Sequence, residues 1–267
     1  MPLEAGSGPA CPRCGAPRPA RRRQALAAAA LSAFAGAAAA VSEVTVFGRI
    51  DASLVKRSGR EPGLDQGSSS RWGFRGRDAR GRGLRAIFEL EGGFDSDTGQ
   101  GEPLFRRESW VGLEGDRGRL RLGRSRSPSQ SVAAAFDPHH TDGIGSFGPA
   151  ALLLGHADLT RIDRALWLET VPWHGWTASA AHGGAADRRI TSVQLRGRTG
   201  GLDAALAWAR VGAGGNELLS LGVAHDLGGW RPMAQYHVGD NGGRPRRSAL
   251  VGATVAFGRD ELRVAYS

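Results

Sequence analysis

The sequence predicts an all-β protein, an antiparallel transmembrane β-barrel with apolar side chains outside and polar side chains facing a wet lumen. Three observations carry the prediction. Apolar and polar residues alternate in run after run from Val44 onward, tight glycine-rich turns alternate with longer polar connections, and the chain opens on what reads as an export leader.

Composition narrows the choice first. The 267 residues include 41 Gly and 13 Pro and are only 40% hydrophobic. A polytopic helical membrane protein needs several apolar stretches of about 20 residues, and only one stretch approaches that length. Both cysteines, Cys11 and Cys14, precede residue 15, so the main body has no disulfide framework and no thiolate metal site. The pair itself offers two of the roughly four ligands that a structural zinc site requires.

The single apolar stretch, Ala25 to Val41, follows Arg21, Arg22 and Arg23 and ends Ala38-Ala39-Ala40. A basic start, a short apolar centre and small residues at the end are the parts of a secretory signal peptide, with cleavage near Ala40. Residues 1–40 therefore read as leader and extension, and 41–267 as the mature domain. Removing the leader takes away Arg13, Arg18, Arg21, Arg22, Arg23 and Glu4, so the net charge falls from +9 to +5. Much of the basic excess thus leaves with the leader, and no nucleic-acid partner is expected.

In the first run, Val44, Val46, Ile50, Ala52 and Leu54 share one face, and Glu43, Thr45, Arg49, Asp51 and Ser53 the other. Trp72 and Phe74 alternate with Arg71, Arg75 and Arg77. Leu84, Ala86, Phe88 and Leu90 alternate with Arg85, Glu89 and Glu91. Val193 and Leu195 oppose Ser192, Gln194 and Arg196, and Trp230, Ala234, Tyr236 and Val238 oppose Arg231, Gln235 and His237. Leu262, Val264 and Tyr266 close the series against Glu261 and Arg263. Tight turns are expected at Asp78–Gly81, Asp116–Gly118, Thr199–Gly201 and Leu227–Gly229, and longer connections at 59–69, 95–103, 183–188 and 239–246.

The pattern alone does not say which face is inside. A soluble sandwich or a lipocalin-like barrel would bury the apolar one. The leader, the cysteine-free body, the aromatic residues near strand ends and about a dozen strands favour the opposite arrangement. A barrel of that size is too wide for side chains to fill, so its lumen would be a water-filled channel. Arg49, Arg75, Arg85, Glu89 and Glu91 are then lumen-lining.

Residues 126–160 form one long connection, and connections of that length are usually functional or disordered. Asp137, His139, His140 and Asp142 cluster there, but at no spacing that a metal motif uses, so no metal is expected. The expectation is a polar loop with glycine hinges folded into the lumen.

These residues resemble the general trimeric porins of Gram-negative bacteria, in their β-proteobacterial form. Val44-Thr-Val-Phe-Gly-Arg-Ile-Asp51 is similar to the family's opening VTLYGxxD, Ser70-Arg-Trp-Gly-Phe-Arg-Gly76 to SRxGxKG, and Gly83-Leu-Arg-Ala-Ile-Phe-Glu-Leu-Glu91 to GLKAxFxLE. Phe105-Arg-Arg107 with Trp110-Val-Gly-Leu113 resembles LFxRxxYVGL, and Gly118 to Arg124 resembles GxxxLGR. His156-Ala-Asp158, Arg161, Pro172, Trp173, Gly175 and Trp176 echo a weaker region. The resemblance implies a 16-stranded homotrimeric barrel in the outer membrane whose third external loop folds inward. It also implies a basic wall of Arg71, Arg107 and Arg161 facing an acidic lip of Asp137 and Asp142. Alternation supports Arg71, out of phase with Trp72, and Arg161, out of phase with Leu166 and Leu168; the Arg107 strand is mixed.

The expected function is passive diffusion of small hydrophilic solutes and ions with a weak anion preference, without cofactor and with outer-membrane lipid as surroundings. Two alternatives stand beside it. About thirteen strands and the ending Ala265-Tyr266-Ser267 read as C-terminally incomplete against the family pattern, which leaves a non-assembling truncated fragment. A secreted soluble β-sandwich binding protein or hydrolase would use Glu89 and Glu91 as a carboxylate pair, yet both lie beside Arg85, and no GxSxG, HExxH, Walker or dinucleotide motif occurs. No enzymatic activity is expected.

Overall fold

The alternating runs fold as strands. A computed structural model describes residues 42–56, 59, 61–143, 146–212 and 216–267. The leader and the cleavage site near Ala40 lie outside the described residues. The strands are β1 (Ser42–Arg49), β2 (Ser53–Val55), β3 (Gly63–Asp65), β4 (Ser70–Ala79), β5 (Arg85–Phe94), β6 (Glu108–Gly115), β7 (Gly118–Arg126) and β8 (Arg161–Thr170). They continue as β9 (Trp176–Gly184), β10 (Arg189–Thr199), β11 (Leu202–Val211), β12 (Asn216–His225), β13 (Trp230–Asn241), β14 (Arg244–Phe257) and β15 (Asp260–Tyr266).

Thirteen strands form one sheet in the order β1, β4, then β5 to β15, each antiparallel to its neighbour. Short β2 and β3 pair separately within the first connection, so the alternation from Val44 to Leu54 is broken after Arg49. The sheet is open among the described residues, because β1 and β15 are its edges and do not pair with each other. The sixteen strands implied by resemblance are thirteen in this sheet. Arg49 of β1 and Arg263 of β15 nevertheless border one cavity, so the sheet curls until its edges approach.

At one end the connections are tight: 116–117, 200–201 and 258–259 are two-residue turns, with Gly200, Gly201 and Gly258 at positive φ. At the other end lie 50–69, 95–107 and 127–160. The expected longer connection at 239–246 is instead a tight turn, because Asn241 pairs with Arg244 and Gly242 and Gly243 adopt the left-handed conformation that a two-residue hairpin demands.

Burial follows the inverted pattern. Tyr236 and Val238 are each 38% exposed, whereas Gln235 is 4% exposed and His237 is fully buried. Leu166, Leu168, Leu195, Leu206, Leu221 and Val251 extend the exposed apolar belt, and Trp176, Trp230 and Phe257 stand exposed at the tight-turn end. A belt flanked by aromatic residues fits hydrocarbon and its interface. It does not fit a soluble sandwich, where this face would be the core. No helix among the described residues is long and apolar enough to cross a membrane.

The interior is filled from one side. Residues 127–160 carry α1 (Pro128–Ala135), α2 (Pro149–Leu152) and a 3-10 turn (Ala157–Leu159). Ser127 starts α1 by accepting the Gln130 N–H at 2.9 Å, and Pro128 occupies the first turn, where no N–H is needed. The Ser127 hydroxyl also donates to the Leu159 carbonyl, which ties the two ends of the connection together. The helix lies on the inner face of β9 to β12.

That face is made of small residues. Val132 and Phe136 pack with Ala205, Ala207, Ala224 and Met233. Ala133, Leu152, Leu153 and Leu159 pack with Ile162, Trp167, Ala181, Ala209, Leu218 and Leu250. A Cβ on Gly222 would stand 2.1 Å from the Phe136 ring, so only glycine admits the ring there. The connection therefore fills the β8–β14 side of the interior. The other side, β1 and β4 to β7, remains lined by Arg and Glu.

An arginine at Leu221, central in β12 on the outer face, is expected to cost about 2–4 kcal/mol in folding into lipid vesicles, measured by urea titration. A soluble protein would show the same loss without lipid, and that result would reverse the assignment of faces.

Candidate functional site

The open side holds a cavity of about 760 Å³ near the long-loop end. Six arginines border it: Arg49, Arg71, Arg107, Arg126, Arg161 and Arg263. Gln130, His139, His140, Thr141 and Asp142 complete it from the long connection.

Register sets the first pair. Arg49 at the end of β1 stands opposite Arg71 near the start of β4. Like charges opposed on neighbouring strands repel, so something must lie between them. Asp142 does: its Oδ2 is 3.0 Å from Arg49 Nη2 and 3.5 Å from Arg71 Nη1. The Ser68 hydroxyl donates to the same oxygen at 2.7 Å, and the Ser69 N–H donates to Oδ1 at 3.2 Å. Burial alone would raise the Asp142 pKa, but these two hydrogen bonds and the two guanidiniums outweigh it and hold the carboxyl below its ordinary range.

Two carboxylates stand behind the other arginines. Glu91 of β5 and Glu108 of β6 face each other across the ladder and are nearly buried. The Arg107 Nε donates to Glu91 Oε1 at 2.7 Å, and Arg71 Nε lies 3.5 Å from Oε2. Arg161 and Arg126 approach Glu108 Oε1 at 3.7 and 3.9 Å. Each buried carboxylate is thus neutralised by a pair of guanidiniums, and the guanidiniums are in turn held at the cavity wall. Six arginines face two carboxylates at the cavity surface, Asp51 and Asp142, and two behind it, so the cavity stays positive.

Arg71, Arg107 and Arg161 all border this cavity, and two of them reach it by routes that strand alternation does not describe. Arg107 precedes β6 and is not bound by its alternation. The count from Leu166 back to Arg161 crosses a bulge, where pairing moves from Gly123 with Ala165 to Ser125 with Ile162 and Arg164 takes a φ of 48°. Arg161 reaches the cavity from the first position of its strand, with Ile162 buried beside it.

Asp137 corrects the expected lip. It is fully buried, its carboxylate accepting the N–H groups of His139 and Thr141 at 2.9 Å each, and it does not border the cavity. It shapes the loop that presents Asp142. Among the described residues no three His, Cys, Asp or Glu side chains converge as a metal ligand set.

Arg75, Arg85 and Glu89 lie on the polar face of β4 and β5. Arg75 pairs across the ladder with Glu89, and both border a second cavity of about 440 Å³ with Glu43, Arg77, Glu114, Arg119 and Arg121. Arg85 lies 3.1 Å from Glu114. Sequence reasoning passed over Arg119 and Arg121, which their alternation with Leu120 and Leu122 could have found. Arg263 was legible out of phase with Leu262 and Val264, whereas Arg126 and Glu108 carried no such signal, because they act through each other across the ladder.

Residues 25–267 match the family model for Gram-negative porins. The chain belongs to the Gram-negative porin family. An outer membrane porin of Bordetella pertussis is 31% identical over 237 residues, covering 72% of this chain and 60% of that protein. Outer membrane porin protein 32 of Delftia acidovorans is 37% identical over 135 residues, covering 47% and 38%. The chain thus spans less than two thirds of the length of either relative. Among solved structures, the anion-selective porin from Comamonas acidovorans superposes with a TM-score of 0.73 at 25% identity, covering 84% of this chain and 78% of that one. The porin is an outer-membrane protein, and the exposed apolar belt is its lipid face.

Asp142 lies in the loop, and its lowered pKa gives a testable sign. The contact is complete above the ordinary carboxylate range, near pH ~4, and is lost as pH falls through the lowered value. In Asp142→Asn it is absent at every pH. Amide hydrogen exchange at 141–143 is expected to quicken about tenfold in the variant at pH 7; unchanged exchange would show that the lip is held elsewhere.

Proposed function

We propose that this porin forms a water-filled channel for passive diffusion of small hydrophilic solutes and ions, with a weak preference for anions, and that it works as a homotrimer. The observation that carries the reading is the excess of arginine over carboxylate around the cavity where the long connection crosses the lumen. A positive wall concentrates anions locally, and Asp142 facing Arg49 and Arg71 creates a transverse field that orients dipolar solutes. The described anion selectivity of the solved Comamonas porin agrees with that sign. The homotrimer rests on family likeness. Nothing in this reading requires a cofactor or a catalytic group.

The unpaired edges favour a second reading, in which the described sheet does not conduct by itself. Amides left without partners in hydrocarbon cost several kcal/mol each, and β1 and β15 present two rows of them.

Planar-bilayer recording separates the readings. Discrete steps arriving in threes, with a reversal potential of anion sign under a potassium chloride gradient, are the expected result. Replacing Arg71, Arg107 and Arg161 together by glutamine should move that potential toward cations. Cation preference in the unaltered channel would overturn the anion reading, and β structure without any steps would support the second one.

A further inference from the structure

Beside the arginine cavity lies a smaller one, about 320 Å³, of opposite character. Glu89, Glu91, Glu108 and Glu169 border it, against only Arg121 and Arg126. Glu91 and Glu108 are engaged by the arginines of the larger cavity. Glu89 makes no ion pair among the described residues and faces a space large enough for a small solute.

Arg121 is occupied by aromatic faces. Its guanidinium carbon lies 5.1 Å from the Trp110 ring centre and 4.7 Å from that of Trp167, a cation between two indoles. Trp167 supplies the independent observation. It is only 4% exposed, it borders this cavity, and its Nε1–H has no acceptor. The Gln194 amide nitrogen, also on a bordering side chain, is buried without an acceptor as well. Buried donors in folded proteins are nearly always paired, so two orphans on one cavity mark a place where an acceptor is missing.

The two cavities meet at Arg126, which borders both. Negative character on one side and positive character on the other suit a solute that carries both signs a few ångströms apart. A simple anion satisfies only the arginine side, and a simple cation only Glu89. We propose that the smaller cavity is a binding subsite for small zwitterions of the amino-acid class. Glu89 takes the ammonium, and Arg126 with the unpaired donors of Trp167 and Gln194 takes the carboxylate. Such a site makes transit of these solutes saturable where a bare channel gives rates proportional to concentration. The proposal deepens the channel reading, and its test stands apart from conduction.

The full chain, refolded in detergent, is titrated with L-alanine, acetate and methylammonium by ligand-observed saturation-transfer NMR. Saturable binding of L-alanine is expected, about tenfold tighter than either half-molecule, and Glu89→Gln should weaken it about tenfold. Trp167→Phe, which removes one of the two unpaired donors, serves as a second variant should Glu89→Gln fail to fold, and is expected to weaken binding likewise. Acetate binding as tightly as L-alanine, or a folded Glu89→Gln that binds L-alanine unchanged, overturns the subsite. Saturable binding in a preparation that shows no conductance supports the subsite and removes the channel; conductance without saturable binding does the reverse.

Discussion

The arrangement of this protein depends on one packing constraint: a long connection can fold inside a sheet only where the sheet's inner face is small. On β11 and β12 the inward positions include Ala205, Ala207, Ala209, Gly222 and Ala224; Val132 and Phe136 of the connection sit against Ala205, Ala207, Gly222 and Ala224, and Ala133 packs in the cluster that holds Ala209. Aliphatic packing at that wall fixes where the loop lies, and therefore where it does not. The opposite wall, β1 and β4 to β7, borders two cavities and carries charge. Division of the interior into a dry half and a wet half follows from which strands are alanine-rich.

Within the wet half, charge is organised in depth. Arginine crowded on arginine would be unstable, and the two buried carboxylates Glu91 and Glu108 would be unstable alone and beside each other. Together they form a layer in which each carboxylate is answered by two guanidiniums. The surplus positive charge then faces the lumen, where water screens it. Asp142 adds the one negative contact from the loop side, so loop and wall are joined electrostatically on one flank and by packing on the other.

Much of this was legible in the alternation. Strands such as β4, β5 and β13 have unlike faces, and their polar residues proved to be the inner ones. Where both faces are apolar the signal weakened, as on β11, whose inner alanines look like an ordinary strand until the helix that covers them is known. Parity also failed at the bulge beside Arg164, which no residue type announces in advance. Asp137 and Asp142 illustrate the limit for loops: equal chemistry five positions apart gave one carboxylate turned to its own backbone and one turned to the wall. Glycine pairs were the converse case, since Gly242-Gly243 held the turn that the surrounding polar residues obscured.

The connection between β7 and β8 is attached at both flanks, to β9–β12 through Phe136 and its neighbours and to β1 and β4 through Asp142. Mechanically it is a cross-tie. A tie of fixed length sets the radius of the curved sheet it spans, so the few residues between Phe136 and Asp142 act as a gauge for the bore. Width in such a protein is then a property of a short peptide segment as much as of the number of strands around it.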